Sequence, residues 1–413
     1  MFAFLQSGMF PMDVADQLAA LIFAMPMKAA FYRGQIKELI EQVKQDHCTG
    51  SDNNITIPAR NHVDPQRHAA EQRLFARTPL MVAHSSELAA PGDYLVKEIE
   101  GRSWLLLRGE DGRARAFLNY CQHRGTLLLD NESGNCGKRI TCPYHAWSYN
   151  TAGELKAIPH RELFPDVELG SKALRQGSLQ EAYGFLWLTQ LPMHEQPIRE
   201  FIGGLHDELE AMQLQGYSVF FNKTRELKAN WKLPLYAFLE PYHIGVLHKN
   251  SIADFFIKNI ASSERFGPHI RSYVPRKNVL ELESLDWEQA NLSEYVTNTN
   301  LVFPNVCMIS HPTSISVIAM FPGSEPGACS WQHWLLVPEA PKTAEQMRHY
   351  EKSVELLDGV TYVQEDFWIS GQIQKGLNAG ALDELTLGVN EFMIQAYCEN
   401  LDAALASHTK QAH

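Results

Sequence analysis

With 413 residues, 45% of them hydrophobic and 20% charged, the chain is long enough for two or three compact units with a large buried core. The excess of 48 acidic over 36 basic residues speaks against a nucleic-acid surface, and no run of 18 uncharged apolar residues exists to span a membrane. The apolar start MFAFLQSGMFPMDVADQLAALIFAMPM has acidic residues and no basic n-region, which argues against a signal peptide, so a cytoplasmic location is expected. Seven cysteines, an odd number spread unevenly, suit reduced thiols and a metal site better than a disulfide framework.

Residues 1–50 read as helical, ending in FYRGQIKELIEQVKQDH, and the turn-forming CTGSDNN then breaks the pattern. Taken to residue 64, this is an N-terminal helical extension. From about 78 to 190 the pattern changes to short β-type runs, GDYLVKEI, RSWLLLRG and RARAFLN, with EDG supplying a hairpin turn. A small antiparallel β domain follows from that spacing. Residues 201–214 and 230–248 read as helices, whereas TNTNLVFPNVCMIS, SISVIAMFPG and CSWQHWLLVP read as strands of a second antiparallel sheet. The last 70 residues return to helix, with a capping box at Thr343 and Gln346, a stop at Gly359 and a further helix over TYVQEDFWISGQIQKGL.

The densest chemistry lies in CQHRGTLLLDNESGNCGKRITCPYHAWSYN. Cys121 and His123 form a C-x-H pair and Cys142 and His145 a C-x-x-H pair, each loop offering one thiolate and one imidazole. Tetrahedral zinc accepts two cysteines and two histidines, but zinc fingers usually pair like with like. A Rieske [2Fe-2S] centre needs two thiolates on one iron and two imidazoles on the other, and mixed loops deliver one of each from either side. Gly125 would allow a tight turn, and Tyr144 is placed to donate a hydrogen bond near the cluster. Cys136 fits neither pair, and Cys48, Cys307, Cys329 and Cys398 are expected to be buried or indifferent.

These residues, with the run C-x-x-H-x-W-x-Y, resemble the Rieske non-haem iron oxygenases, specifically the large, α-type subunit of the aromatic-ring-hydroxylating dioxygenase family. The resemblance extends over roughly residues 65–405. It implies an α+β chain: a Rieske domain with its flanking segment over 65–195, and a catalytic domain over 196–413 whose antiparallel sheet is covered by helices in a helix-grip arrangement. Cys121 and Cys142 would hold one iron, His123 and His145 the other, with Trp147 packing the loops. A mononuclear Fe(II) is also implied, because the family's acidic residue, two residues, His, four residues, His appears here as Glu240, His243 and His248. The family's downstream E-D pattern appears in QEDFWISGQIQKGL and assigns the third ligand to Asp366, with Glu365 adjacent. Glu240 takes the position of an electron relay to a cluster histidine of a neighbouring subunit. Leu235, Tyr236 and Ala237 stand where many relatives carry an acidic residue and Asn.

On an ideal helix, positions 243 and 248 point about 140° apart and could not share a metal. Pro241 and Gly245 disfavour regular helix, so a kink or π-type bulge is expected to bring both imidazoles to one side. Residues 249–300 are expected to form a lid over a pocket, supplying Phe255 and Phe256, with Leu247, Met308 and Ile309 as further lining. An apolar lining favours an aromatic or other hydrophobic substrate.

The chain has no Gly-rich nucleotide fingerprint and no plant-type ferredoxin signature, so an NAD(P)H-dependent reductase, with or without a ferredoxin, is the expected partner. Arg124, Lys138, Arg139 and Lys156 would form a positive rim for it. The family implies a homotrimer and hydroxylation of a small organic substrate using O2, as cis-dihydroxylation or monooxygenation. The alternatives are a quaternary-ammonium monooxygenase of the betaine or carnitine kind and, outside enzymes, a Rieske electron carrier, a redox sensor or a zinc-stapled interaction protein.

Overall fold

The computed structural model describes residues 29–48, 50–191 and 196–410. The helix expected before Ala29 lies outside the described residues. Its last part forms a helix over Ala29–Gln45, whose Tyr32, Ile36, Leu39 and Ile40 fall on one face and are buried against Tyr273, Trp287 and Val296. This segment is therefore a packing arm. The Tyr32 hydroxyl also donates to Glu208 at 2.6 Å.

After β1 (Ile55–Pro58) and a helix over Pro65–Arg77, opened by Asp64 and Pro65, the chain enters a seven-stranded antiparallel sheet. Its members are β2 (Leu80–His84), β3 (Asp93–Ile99), β4 (Arg102–Arg108), β5 (Ala114–Leu118) and β6 (Ser133–Asn135), with two later strands. The EDG turn between β4 and β5 forms as read, with Gly112 at φ +77°. β7 (Arg139–Thr141), β8 (Ser148–Asn150) and β9 (Leu155–Ala157) make a small three-stranded sheet. β10 (Gln176–Ala182) and β11 (Phe185–Thr189) then complete the first, in the order β2, β11, β10, β5, β4, β3, β6.

Helices over Ile198–Ile202 and His206–Met212 lead to the second sheet, earlier by a few residues than the reading 201–214. Its strands are β12 (Ser218–Leu227), β13 (Ser262–Phe266), β14 (His269–Pro275), β15 (Val296–Val302), β16 (Val306–Ser310), β17 (Ile315–Pro322) and β18 (Cys329–Val337). They order as β12, β18, β17, β16, β15, β14, β13, all antiparallel. Every residue of β15, β16 and β17 is buried, which is why ISVIAMFP reads as a continuous apolar run rather than an alternation. The β2 and β11 edge packs on this sheet, Phe185 meeting Trp334 edge-on at 6.1 Å, so the two units share one core.

Three expectations need correction. Residues 249–300 are not a free lid, since they contribute β13, β14 and most of β15 to the sheet; of the stretch before Ser262, Ile252, Phe255 and Phe256 line the cavity. Gly359 does not stop a helix. The helix over Ala344–Val354, capped by Thr343 and Gln346 as read, runs through a π-helix at Glu355–Asp366 into Phe367–Asn378. The return to helix is also interrupted by β19 (Glu384–Leu387), which pairs with β1 far upstream.

Candidate metal centres

The two loops of the first candidate centre are built alike. In each, the cysteine N–H donates to a carbonyl five residues on, Cys121 to Thr126 at 2.8 Å and Cys142 to Trp147 at 2.9 Å. In each, the cysteine carbonyl accepts from the residue four on, Gly125 at 2.9 Å and Ala146 at 3.0 Å. That residue takes a left-handed φ in both loops, +75° at Gly125 and +55° at Ala146. Gly125 does what the sequence suggested, and Ala146 is its unannounced counterpart. The repeated geometry turns both imidazoles toward each other, with ring centroids 4.8 Å apart.

Neither cysteine is in a disulfide, and their thiols lie within hydrogen-bonding range of each other. The Nδ1 atoms of His123 and His145 are buried without a hydrogen-bond partner. Two thiols and two unpartnered imidazole nitrogens in one place are what an iron-sulfur cluster with mixed ligation requires. Trp147 is buried and stacks on His123 at 4.7 Å with 5° between planes, while Phe164 meets both edge-on. The hydrogen bond near the cysteine comes from Tyr149 rather than Tyr144. Its hydroxyl lies 3.3 Å from Cys121 Sγ and accepts from the Gln122 N–H at 3.0 Å. Tyr144 is 56% exposed and lies over His145. The positive rim is thinner than expected, since Lys138 pairs with Glu110 at 2.8 Å and Lys156 with Glu154 at 2.6 Å. Arg124 packs over Tyr144 and approaches His145 Nε2 at 3.0 Å.

The second candidate centre gathers residues from two distant segments. The stretch read as one helix is broken: helix covers Lys232–Tyr236 and Ile244–Leu247, with irregular chain through Leu239–Tyr242. The break, at Pro241 as anticipated but without a π-bulge, sets the His243 and His248 rings 5.0 Å apart. The π-helix lies instead at Glu355–Asp366, where the wider turn places Asp366 at the junction with the next helix. Ligand atoms of His243, His248 and Asp366 all fall within 4.8 Å of one another. Asp366 Oδ1 is buried and unpartnered, 3.3 Å from His248 Nε2 without hydrogen-bond alignment. Two imidazoles and a carboxylate so disposed are the donor set of a non-haem Fe(II) site with open positions.

Carboxylates behind the histidines fix their orientation. Glu240 lies 2.5 Å from His243 Nδ1 and accepts from the His243 backbone N–H at 3.1 Å. Glu365 lies 2.8 Å from His248 Nδ1 and accepts from the Ser251 hydroxyl at 2.6 Å. The neighbouring acids thus divide the work: Glu365 braces the ring from outside while Asp366 faces its other nitrogen. Burial pulls the His248 pKa down, but Asp366 and then Glu365 outweigh it and leave it raised.

Deeper contacts hold the two segments in register. Lys232, fully buried, meets both Glu71 oxygens at 2.7 Å, and the Trp231 indole N–H donates to the same carboxylate at 2.9 Å. The Asn230 N–H donates to Gln374 Oε1 at 2.8 Å, tying the histidine segment to the helix that continues from Asp366. Tyr236 lies 3.0 Å from His62 Nε2 and 3.3 Å from Cys398 Sγ.

A cavity of about 330 Å³ opens beside these residues, between the sheet and the helices. Phe238, Phe255, Phe256 and Ile309 line it, whereas Leu247 and Met308 do not. Its sheet wall is made of cross-strand partners, Ser272 opposite Thr299 opposite Ile309, and Val274 opposite Thr297, because side chains two apart along a strand share a face.

The chain matches two family models: "Rieske [2Fe-2S] domain" over residues 78–168 and "Ring hydroxylating alpha subunit (catalytic domain)" over residues 214–407. It thus carries both domains of the Rieske oxygenase large subunits. Among curated proteins, the carnitine monooxygenase oxygenase subunit of Escherichia coli (strain K12) is 35% identical over 49% of this chain and 55% of that subunit, so the chain spans about half that relative's length. The large oxygenase component of the naphthalene 1,2-dioxygenase system of Pseudomonas putida is 32% identical over 43% of this chain and 41% of its own. A quaternary ammonium Rieske monooxygenase in complex with L-carnitine shares the fold, with a TM-score of 0.72 at 22% identity over 85% of this chain and 95% of that one. The two candidate centres fall one in each matched stretch, the cysteine-histidine loops in the first and His243, His248 and Asp366 in the second. Among the described residues, no helix is long and apolar enough to cross a membrane.

Proposed function

We propose that this chain is the terminal oxygenase component of a multicomponent Rieske oxygenase and hydroxylates a small aromatic or otherwise hydrophobic organic molecule with O2. The observation that carries the reading is the convergence of His243, His248 and Asp366 within 4.8 Å on the wall of a mainly apolar cavity, in a chain that also carries the two cysteine-histidine loops. In this reading Cys121, His123, Cys142 and His145 hold the cluster and His243, His248 and Asp366 the mononuclear iron. When bound, the two centres supply one-electron storage and a site for dioxygen.

The chain's own groups do the rest. Glu365 and Glu240 fix the two imidazoles so that one nitrogen of each faces Asp366. Phe238, Tyr362 and Leu356 exclude water from the cavity and position an apolar body beside the three donors. Glu240 also serves as the relay toward the cluster histidine of a neighbouring subunit in a homotrimer. The domains are assigned as an N-terminal extension over 1–64, the Rieske domain with its flanks over 65–195 and the catalytic domain over 196–413. An NAD(P)H-dependent reductase, with or without a ferredoxin, delivers electrons, and the cytoplasm is the working compartment.

A second reading, a quaternary-ammonium monooxygenase, is favoured by the names of the carnitine-related proteins above. Product formation with a surrogate reductase, scored across aromatic and betaine-like compounds, separates the two. Coupled product with neither class, or an iron content unchanged by His243→Ala, removes the oxygenase reading.

A further inference from the structure

Among the described residues, one cation in the cavity wall has neither an ion-pair nor a side-chain hydrogen-bond partner. Arg276 follows directly after β14 and lines the cavity. Its guanidinium lies 5.3 Å from the centre of the Phe255 ring and 5.6 Å from that of Phe256, which hold it against the wall. Among the described residues no carboxylate comes within ion-pairing distance of it, and no hydrogen-bond acceptor meets its donors. The nearby acids are committed elsewhere. Glu294, which draws on Arg276 only at longer range, accepts from Asn291 Nδ2 at 3.1 Å, and Asp254 pairs with Lys277 at 3.1 Å.

The second observation is independent. Thr297 lines the same cavity, and its hydroxyl is buried with no hydrogen-bond partner among the described residues. Register places the two together: Thr297 is opposite Val274, and the Arg276 N–H donates to the Tyr295 carbonyl at 2.9 Å. Arg276 and Thr297 are therefore diagonal neighbours across the strand pair, a spacing of about 7 to 8 Å that a long side chain bridges. A buried hydroxyl and an arginine fork left without protein partners in one wall are costly unless a ligand or water completes them. His311, also in the wall, adds no charge, because burial, helped by Arg276, takes it down to about 3.

We propose that Arg276 and Thr297 form a carboxylate-binding subsite, so that the substrate is an organic acid whose anionic end is held at the sheet wall while its apolar body lies in the remainder of the cavity. The inference rests on the cavity being the substrate site of the function proposed above. It disfavours neutral hydrocarbons, which would leave the arginine uncompensated, and cations without an acidic group, which it would repel. An aromatic acid and a betaine zwitterion share the required carboxylate.

Calorimetric titration of the full, iron-loaded chain with benzoate, 2-naphthoate and γ-butyrobetaine, each against the corresponding carboxamide, neutral for the aryl acids and cationic for the betaine, tests this. The acids should bind roughly tenfold tighter or more, as a charge-assisted arginine contact gives. In Arg276→Gln the preference should vanish, in Arg276→Lys part of it should remain, and Thr297→Val should weaken the acids by several-fold. Arg276→Gln also gives up the contacts with Phe255 and Phe256, so its melting temperature should fall slightly, whereas Arg276→Lys, which keeps the cation, should stay near the parent. Equal binding of acids and amides, no binding by any acid, or an unaltered preference in Arg276→Gln overturns the subsite. The result for γ-butyrobetaine against the aryl acids tells which body the cavity accepts. If acids bind through Arg276 but iron analysis finds only the cluster, the subsite stands and the oxygenase reading falls; if the chain oxygenates aromatics but the parent and Arg276→Gln bind and turn over the acids equally, the reverse holds.

Discussion

The cluster loops and the mononuclear site solve the same problem, holding metal donors at fixed distances, by opposite means. The loops take all four donors from Cys121 to His145 and position them with local backbone bonds and two left-handed residues. The second site takes its donors from His243 to Asp366, with the strands β13 to β18 lying between them in sequence, and depends on a broken helix, a π-helix and the Asn230 to Gln374 tie. A local site should tolerate damage to the core that a site assembled from afar does not.

The strongest way to break that contrast is to remove donors separately. Asp366→Ala should abolish product formation and lower iron from about three to about two per chain, leaving the visible cluster spectrum intact. Cys142→Ser should do the converse, bleaching the cluster; loss of both signals in either variant would show that the two sites do not assemble independently.

Next in size is Lys232→Met, which leaves the Glu71 carboxylate buried without its closest cation. A loss of about 3 to 5 kcal/mol is expected by chemical denaturation, and the double variant with Glu71→Leu should recover most of it. Glu365→Gln should weaken iron at the second site by about 10- to 100-fold, measured by chelator competition, without touching the cluster.

Acid offers a milder probe. Burial holds His62 at about 3. Unfolding restores about 6.5. The unfolded chain then takes up a proton that the folded chain refuses, so stability is lost as pH falls from about 6.5 toward 3 and is unaffected above that window. Melting temperature against pH should therefore flatten in His62→Gln. The smallest effect is expected from Tyr149→Phe, which removes the hydroxyl beside Cys121 Sγ and should lower the cluster potential, since hydrogen bonds to the sulfur favour the reduced form.

Much of this molecule was legible beforehand for reasons that differ by region. Strands such as RSWLLLRG and SISVIAMFPG declared themselves through apolar periodicity, and the two mixed cysteine-histidine loops through spacing, with the family resemblance deciding between zinc and a Rieske cluster. His243 and His248 rested on the family pattern, with Pro241 marking where their helix had to break. Asp366 rested on a family pattern, and nothing local distinguished it from Glu365; the fold separates them by placing one on each side of His248. Gly359 misled because a glycine is a common stop, whereas here packing carries the helix through it in π form. Arg276 and Thr297 gave no signal, being ordinary residues of a strand end and a strand.

The order of the chain by itself thus determined the elements whose patterns are short in range: the hairpins, the mixed loops, the capping box at Thr343 and the need for a kink before His248. Only the tertiary structure decided which carboxylate faces His248 Nε2, that Tyr149 rather than Tyr144 reaches Cys121, and that Arg276 ends in the cavity wall with no carboxylate beside it among the described residues. The reason is physical: periodicity and turn chemistry act over a few residues, but which side chain faces a cavity is set by strand register and helix phase, which are fixed only when the whole core packs.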